Sequence, residues 1–259
     1  TELTDTLALN IGGRVEQARY AADVEDAAGA ELVDDSETHT VSALSASLLY
    51  RPVADAKLYA TLASLYRLPF IDEQVSYYGF GSDVFYGDLD PEQGVSGELG
   101  GAWTFASDWS VDASYFGMDM KDEIAYNPIT GWNANLDKTR HQGLTAALGW
   151  QRAERGSLKL RYTYTDAEFR NGLNDGCDVP LVPHHHLALA GQAVLPADLT
   201  LLATLKVSGS QPVGGDNANT AETLASYATL DLALRYQPRR LADFSLLVGV
   251  DNVFDESYA

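Results

Sequence analysis

Apolar and polar residues alternate along segments that recur through the whole chain, and no other feature of the sequence constrains the fold as strongly. In the segment 227–236, Leu230 and Leu232 lie on one side of an extended chain and Asp231 lies on the other; the segment 157–165 repeats the pattern. A helix would mix the two sets at every turn, so the period of two predicts β-strands. We count about eleven such segments of roughly 9–15 residues, longer than strands of ordinary globular proteins and long enough to cross a membrane at a tilt.

The links between these segments alternate strictly between short and long. Such alternation places all short turns at one end of a meander and all long loops at the other, which is the layout of an outer-membrane barrel. The short links are Arg51–Ala56, Ala106–Asp108, Ala153–Gly156, Leu195–Asp198 and Gln237–Asp243. The long links are Ala21–Glu37, Phe70–Gln93, Tyr126–Lys138, Glu168–Pro183 and Ser210–Ala225.

The sequence therefore predicts an all-β fold, an antiparallel up-and-down transmembrane β-barrel that is present in part. Trp103, Phe105 and Trp109 flank one short turn, as expected for an aromatic girdle at a membrane interface. Two alternatives stay open from the residues alone. One is a passive porin-like barrel, and the other is a soluble carbohydrate-binding β-sandwich that would bury these rings in its core.

Charge excludes one class of partner and marks the loops. The formal net charge is −20, and the stretches 21–38 and 70–92 carry many Asp and Glu but no Lys or Arg. Nucleic acid is not an expected partner, because phosphate binding needs clustered basic residues. Acidic long loops are explained by solvation alone, and attraction of cationic or metal-bearing ligands is the functional alternative.

No residue pattern points to catalysis or to a resident metal or cofactor. The chain has no nucleophile elbow, phosphate-binding loop or zinc-protease motif, so we expect no enzyme activity. Within a strand only His184 and His186 of the His triplet would share a face, and we expect them to mark a strand rim rather than a metal site. Cys177 is the single cysteine and cannot form an internal disulfide.

Several short motifs resemble, in order, those of TonB-dependent outer-membrane receptors. Arg67-Leu68-Pro69 resembles the end of the strand that enters a major extracellular loop of that family. Leu89-Asp90-Pro91-Glu92 with Glu98 and Gly100 resembles the pattern that follows this loop, and Asn135 with Gly143 resembles the next step. Pro180-Leu181-Val182-Pro183 resembles another recurring element. The segment 250–258, VDNVFDESY, resembles a motif near the family's C-terminus.

The resemblance implies a function that the residues alone do not. It implies a bacterial outer-membrane receptor for energy-coupled uptake of a siderophore, haem or cobalamin type of nutrient. The expected partners are outer-membrane lipid, a small metal chelate, the receptor's own plug domain and, through the plug, TonB. It also predicts that residues 1–259 form one partial barrel, with the plug domain and the final strand absent from the chain.

Two sets of residues are candidate sites. Aromatic rings of the long links could stack on a planar ligand, although packing of the loop against itself or the barrel rim explains them equally. Basic residues on polar strand faces would line the lumen and pair with acids or with the plug. The ligand candidates are Tyr77, Tyr78, Phe80, Phe85, Tyr86 and Trp132, and the lumen candidates are Arg67, Lys159, Arg161 and Arg235.

Overall fold

The computed structural model describes residues 2–25, 27–74, 89–127, 131–241 and 243–257, and it consists almost entirely of β-strands. A short 3-10 turn, Ile71–Glu73, is the helical element of this described part, and it is far too short to cross a membrane. The strands of the main sheet are β1 (Glu2–Thr4), β2 (Leu7–Glu25), β3 (Glu31–Val53), β4 (Ala56–Arg67), β5 (Glu92–Phe105), β6 (Trp109–Lys121), β9 (Thr139–Arg152), β10 (Gly156–Phe169), β11 (His185–Leu195), β12 (Leu199–Ser208), β13 (Tyr227–Tyr236) and β14 (Leu246–Val250); β7 (Ile124–Asn127) and β8 (Trp132–Asn135) form a separate hairpin.

The twelve strands of the main sheet pair with their neighbours in chain order, and every pair is antiparallel. The order departs from the numbering only where β6 pairs with β9, because the small β7–β8 hairpin belongs to the loop between them. An uninterrupted antiparallel meander of long strands is the wall of an up-and-down barrel. The predicted fold class is therefore confirmed, and the ten strands of ten or more residues come close to the expected eleven.

One register runs across the sheet and separates two faces. Successive partners from β3 to β10 place one continuous row of side chains on the same side: Leu48, Ala60, Leu99, Tyr115, Leu144 and Tyr164. We call this side the apolar face and the opposite side the polar face. Most members of the row are large and solvent-exposed; Leu99, for instance, is 64% exposed. Because a register slip by one residue would exchange the faces, the alternation fixes the pairing.

Aromatic residues of the apolar face gather near the short turns. Trp103 and Phe105 end β5 with ring centroids 5.2 Å apart, and Trp109 at the start of β6 lies 6.5 Å from Trp150 at the end of β9. The turn between β5 and β6 is tight, with Ala106 and Ser107 both at positive φ. This placement matches an interfacial aromatic belt.

The buried hydrophobic core is small and lies at the long-loop end of the sheet. Phe169, Ala167 and Val179 form its centre, with Cys177 and Val182 packed beside them. Here the loop after β10 folds back, and Val179 N–H donates to the Ala167 carbonyl at 2.9 Å. The sheet has no apolar interior, since its large hydrophobic residues face outward.

The prediction of a long link at Ala21–Glu37 is wrong. The two strands continue through it as a ribbon in which Tyr20 pairs with Glu37 and Asp23 with Asp34, and five residues connect β2 to β3. Both faces of this ribbon are solvated, so the apolar–polar alternation that marks a strand disappears while the backbone pairing remains. The predicted link Tyr126–Lys138 likewise holds most of the β7–β8 hairpin.

The two faces should differ in how much stability they lose when a charged side chain is placed in the middle of a strand. Leu205 lies on the apolar face, paired with Leu189 and Leu230, and Thr204 lies on the polar face beside Asp231. Leu205→Arg should lower the unfolding free energy in lipid vesicles by about 2–4 kcal/mol, whereas Thr204→Arg should change it by less than about 1 kcal/mol. Urea titration of the vesicle-folded protein measures both, and equal losses would refute the assignment of faces.

Candidate functional site at the long-loop rim

The end of β4 leaves its partner strand and so creates the rim on which the site is built. The ladder between β3 and β4 stops at Ser45 and Ala63. At the next position the Ser64 hydroxyl accepts the Leu44 N–H at 2.8 Å, replacing the backbone carbonyl that a regular ladder would supply. Beyond Ser64 the strand stays paired with β5 alone up to Arg67.

The departing strand packs against the β2–β3 ribbon through tyrosine hydroxyls. The Tyr66 hydroxyl donates to Glu16 Oε2 at 2.9 Å, and the Tyr20 hydroxyl donates to the Pro69 carbonyl at 2.7 Å. Arg14 forms an ion pair with Glu16 at 2.5 Å, and its guanidinium lies 5.9 Å from the Tyr66 ring centroid. These contacts join the end of β4 to a strand two places away in the sheet.

Arg67 is the centre of the rim and binds the two ends of the segment that follows it. Its Nη1 donates to both carboxylate oxygens of Glu73, at 2.8 and 3.0 Å, and its Nη2 donates to Glu92 at 2.6 Å. Glu73 and Glu92 stand on either side of residues 75–88, and Arg67 is only 30% exposed. We call this triad the Arg67 clamp. Charge-assisted hydrogen bonds of this kind are shorter and stronger than those between neutral groups.

Two carboxylate oxygens that bind Arg67 also accept backbone N–H groups, which extends the clamp to neighbouring elements. Glu73 Oε2 accepts the Phe70 N–H at 2.7 Å, and Glu92 Oε1 accepts the Ile124 N–H at the start of β7 at 2.9 Å. The Asn133 amide on β8 donates to the Glu73 carbonyl at 3.1 Å. The β7–β8 hairpin is thereby tied to the same clamp.

Asn135 connects the motif residues to one another. Its amide exchanges two hydrogen bonds with the backbone of Asp90, both at 2.9 Å, and donates to the Asp122 carbonyl at 2.7 Å. The separate motifs at 67–69, 89–92 and 135 thus converge on one rim. The sequence identified each motif but gave no indication that they meet, and it missed Glu73, Tyr20 and Asn133 altogether.

The structure describes one of the six candidate ligand residues. Tyr77, Tyr78, Phe80, Phe85 and Tyr86 lie outside the described residues. Trp132 begins β8, is half-buried, and directly precedes Asn133 of the clamp contact.

The lumen candidates all lie on the polar face. Arg67 is in the clamp, and Lys159, Arg161 and Arg235 lie further along the sheet. Arg161 lines a cavity of about 310 Å³ together with Lys57, Tyr59 and Glu98. On the same face Arg14 forms an ion pair with Glu16, and Asp231 accepts the Asn252 N–H at 2.9 Å.

His184 forms a second rim contact, between the loops that follow β10 and β12. Its Nδ1 lies 2.9 Å from the Thr165 carbonyl and its Nε2 lies 3.3 Å from Asp178 Oδ2. The Asp178 backbone in turn exchanges hydrogen bonds with the Asn219 amide at 2.6 and 3.0 Å. Both partners of the ring are acceptors, so only the doubly protonated imidazolium satisfies both contacts. Within the described ranges no group of three or more His, Cys, Asp or Glu has metal-binding geometry.

Burial opposes protonation of His184, but the bonds to Thr165 and Asp178 outweigh burial and raise the pKa of the ring above its usual 6.5. Nearby Asp166 acts in the same direction. A raised pKa stabilises the folded loops fully below the unfolded value and loses that contribution as pH rises through the folded value.

Removing the clamp should loosen both ends of the 75–88 segment. Arg67→Met leaves Glu73 and Glu92 without their cation, and after allowance for partial exposure we expect a local cost of about 1–2 kcal/mol. Limited proteolysis between residues 68 and 92 should then accelerate roughly 5–30-fold, since cleavage follows the open population. Arg67→Lys should recover part of the loss, because lysine keeps the charge without the fork. Arg161→Met is the control, and an equal acceleration there would argue against the clamp.

Docking of the two loops should weaken with rising pH. Hydrogen exchange of peptides from 170–183 and 210–226, corrected for intrinsic rates, should be slower at about pH 5.5 than at about pH 9. His184→Gln and Asp178→Asn should abolish this difference, and His186→Gln, one of the neighbouring histidines, should leave it intact. A pH difference that survives His184→Gln would assign it to another group.

Sequence comparison places the whole chain within one family. The model of a family described as TonB dependent receptor-like, beta-barrel, matches residues 1–253. The iron-regulated outer membrane virulence protein of Vibrio cholerae is 27% identical over 214 residues, which are 74% of this chain and 32% of that protein. The chain thus spans about a third of the relative's length.

Solved structures show the same fold. The siderophore receptor PiuA from Acinetobacter baumannii superimposes with a TM-score of 0.77 at 18% identity, covering 99% of this chain and 38% of that chain. The closed form of the ferric-catecholate import receptor Fiu from E. coli K12 gives 0.73 at 20% identity, covering 99% and 39%.

The family match excludes the soluble sandwich alternative and agrees with the continuous apolar face. It also confirms the expectations of an outer-membrane location and of no enzyme activity, because the family consists of membrane receptors. The chain belongs to the TonB-dependent receptor β-barrel family of the bacterial outer membrane.

Proposed function

We propose that the protein takes up a metal chelate across the outer membrane with energy relayed through TonB, and that this chain forms part of the barrel wall and its extracellular loops. The similar structures are described as receptors for ferric catecholate, ferric yersiniabactin and ferric citrate, and one as a copper transporter. Metal-bearing small molecules are the chemistry common to these descriptions.

The observation that carries the proposal is the Arg67 clamp. It fixes both ends of the segment that contains Tyr77, Tyr78, Phe80, Phe85 and Tyr86 at the long-loop end of the polar face. A loop whose ends are fixed loses less entropy when it orders on a ligand, so its rings can contribute more to binding. Flat aromatic rings suit a planar catecholate or porphyrin.

The polar face supplies the second element of the proposal. Lys159, Arg161 and Arg235 would line the lumen, where charges need partners. Among the described residues these three form no ion pair. The cavity beside Arg161 and Glu98 offers charges of both signs to a plug domain. In this proposal the plug supplies the missing partners and transmits the pull of TonB.

Uptake assays on the intact protein test the ligand class. Cells in which it is the sole receptor should accumulate iron from a catecholate chelate, and an uncoupler of the proton gradient should abolish this. Tyr77→Ala with Tyr78→Ala should lower uptake about tenfold at limiting chelate, the loss of one to two stacking contacts. Tyr50→Ala, at the short-turn end of β3, is the control.

Two other outcomes are informative. Uptake that persists with the uncoupler would favour the passive porin-like alternative. Energy-dependent uptake of haem or cobalamin, with no response to catecholates, would retain the receptor and change its ligand.

A further inference from the structure

The chain contains two methionines, and both lie on the polar face of β6. Met118 and Met120 are two residues apart in the strand, so their side chains leave it on the same side. Their partners on β9 are His141 and Thr139, respectively. The lumen face of a barrel is predominantly polar, so two thioethers on it need an explanation. Two sulfurs and one imidazole thus lie together near the long-loop rim.

The spacing of these three residues lets their side chains meet at one point. Met118 and His141 are register partners, and such partners have Cα atoms about 4.5–5.5 Å apart. Residues two apart in a strand, such as Met118 and Met120, are separated by about 7 Å. A methionine side chain has three rotatable bonds and adapts its reach over such distances. The Met120 sulfur rests over Gly94 on β5, where any Cβ would collide with it, so glycine leaves room for that sulfur.

His141 is oriented by a carboxylate through one of its two ring nitrogens. Its Nε2 lies 3.3 Å from Glu123 Oε2 and 3.2 Å from the Thr139 hydroxyl, and that hydroxyl also donates to Glu123. Because the carboxylate is an acceptor, the proton of the neutral ring belongs on Nε2, and Nδ1 carries the lone pair. No described residue forms a hydrogen bond with Nδ1. A carboxylate on one ring nitrogen and a metal ion on the other is the usual arrangement of metal-binding histidines.

The nature of the donors selects the ion. Thioethers are soft ligands that favour Cu(I), and imidazole also suits copper, whereas magnesium, calcium and manganese prefer oxygen. The two thioethers and the neutral imidazole carry no charge, so the one nearby carboxylate, Glu123, balances a monovalent cation. The cluster is also shielded from water, because Met120 is 9% exposed and the His141 and Glu123 side chains are 14% and 21% exposed.

We propose that Met118, Met120 and His141 bind one Cu(I) ion on the lumen wall, with Glu123 holding the imidazole in the required tautomer. Binding releases no proton, because the two sulfurs and the Nδ1 lone pair are unprotonated beforehand. Rotation about the side-chain bonds of Met120 moves its sulfur from Gly94 toward His141. The site uses none of the aromatic loop residues, so it does not depend on the proposed uptake of a chelate.

Anaerobic titration of the full-length protein with Cu(I), in competition with the coloured chelator bicinchoninate, tests the site. The wild type should bind one more equivalent than Met118→Leu, Met120→Leu or His141→Gln, because each variant removes one donor. Methionine and leucine have similar volumes, so the methionine variants should fold normally. Met118→Cys should keep the additional equivalent, since a thiolate is also a soft ligand. Glu123→Gln should weaken its binding about tenfold through loss of the carboxylate.

Two variants on the same face serve as controls. Phe116→Leu alters the same strand without removing a donor, and His186→Gln removes a histidine from β11. Both should bind Cu(I) as the wild type does. An equal number of equivalents in the wild type and in Met118→Leu, Met120→Leu and His141→Gln would overturn the site. Zn(II) retained at these residues as strongly as Cu(I) would overturn the choice of ion.

Discussion

The pairing of every inner strand with both neighbours is the constraint on which the rest of this structure depends. In hydrocarbon an unpaired backbone group costs several kcal/mol, so the register must be continuous wherever lipid is adjacent. That register carries the row from Leu48 to Tyr164 across six strands without a break. Irregular strand pairing is confined to the ends of the strands, where water can hydrogen-bond the backbone groups that have no partner strand. The rim contacts lie at one of these ends.

Departure of β4 from β3 is the first such irregularity, and it makes the rim possible. Ser64 occupies an apolar-face position and uses its hydroxyl to close the ladder at Leu44. Tyr66 then reaches Glu16 on the second strand away. Because the end of β4 has left β3, Arg67 can form hydrogen bonds with Glu73 before the segment 75–88 and with Glu92 after it. Three hydrogen bonds at one guanidinium thus define where a long loop begins and ends.

The sequence predicted the wall well and the rim poorly, for one physical reason. Period-two patterning reports a difference in environment between two faces, which exists only where one face meets lipid. The ribbon beyond Tyr20 is solvated on both faces, so its sequence pattern predicts a loop although the two strands remain paired. The clamp depends on contacts between Arg67, Glu73 and Glu92, whose spacing follows no period. Only Ser64, a polar residue in an apolar row, hinted that the ladder ends there.

The two ends of the molecule also differ in how firmly they are held. Short turns such as 106–108 are tight, with Ala106 and Ser107 at positive φ. The long loops are held by the small core around Phe169 and by ionisable side chains, through Arg67 with two glutamates and through His184 with Asp178. A partly exposed ion pair is directional, but breaking it costs little free energy because water stabilises the separated charges. In the proposed receptor such ion pairs would suit loops that rearrange around a ligand, which extensive hydrophobic packing would oppose.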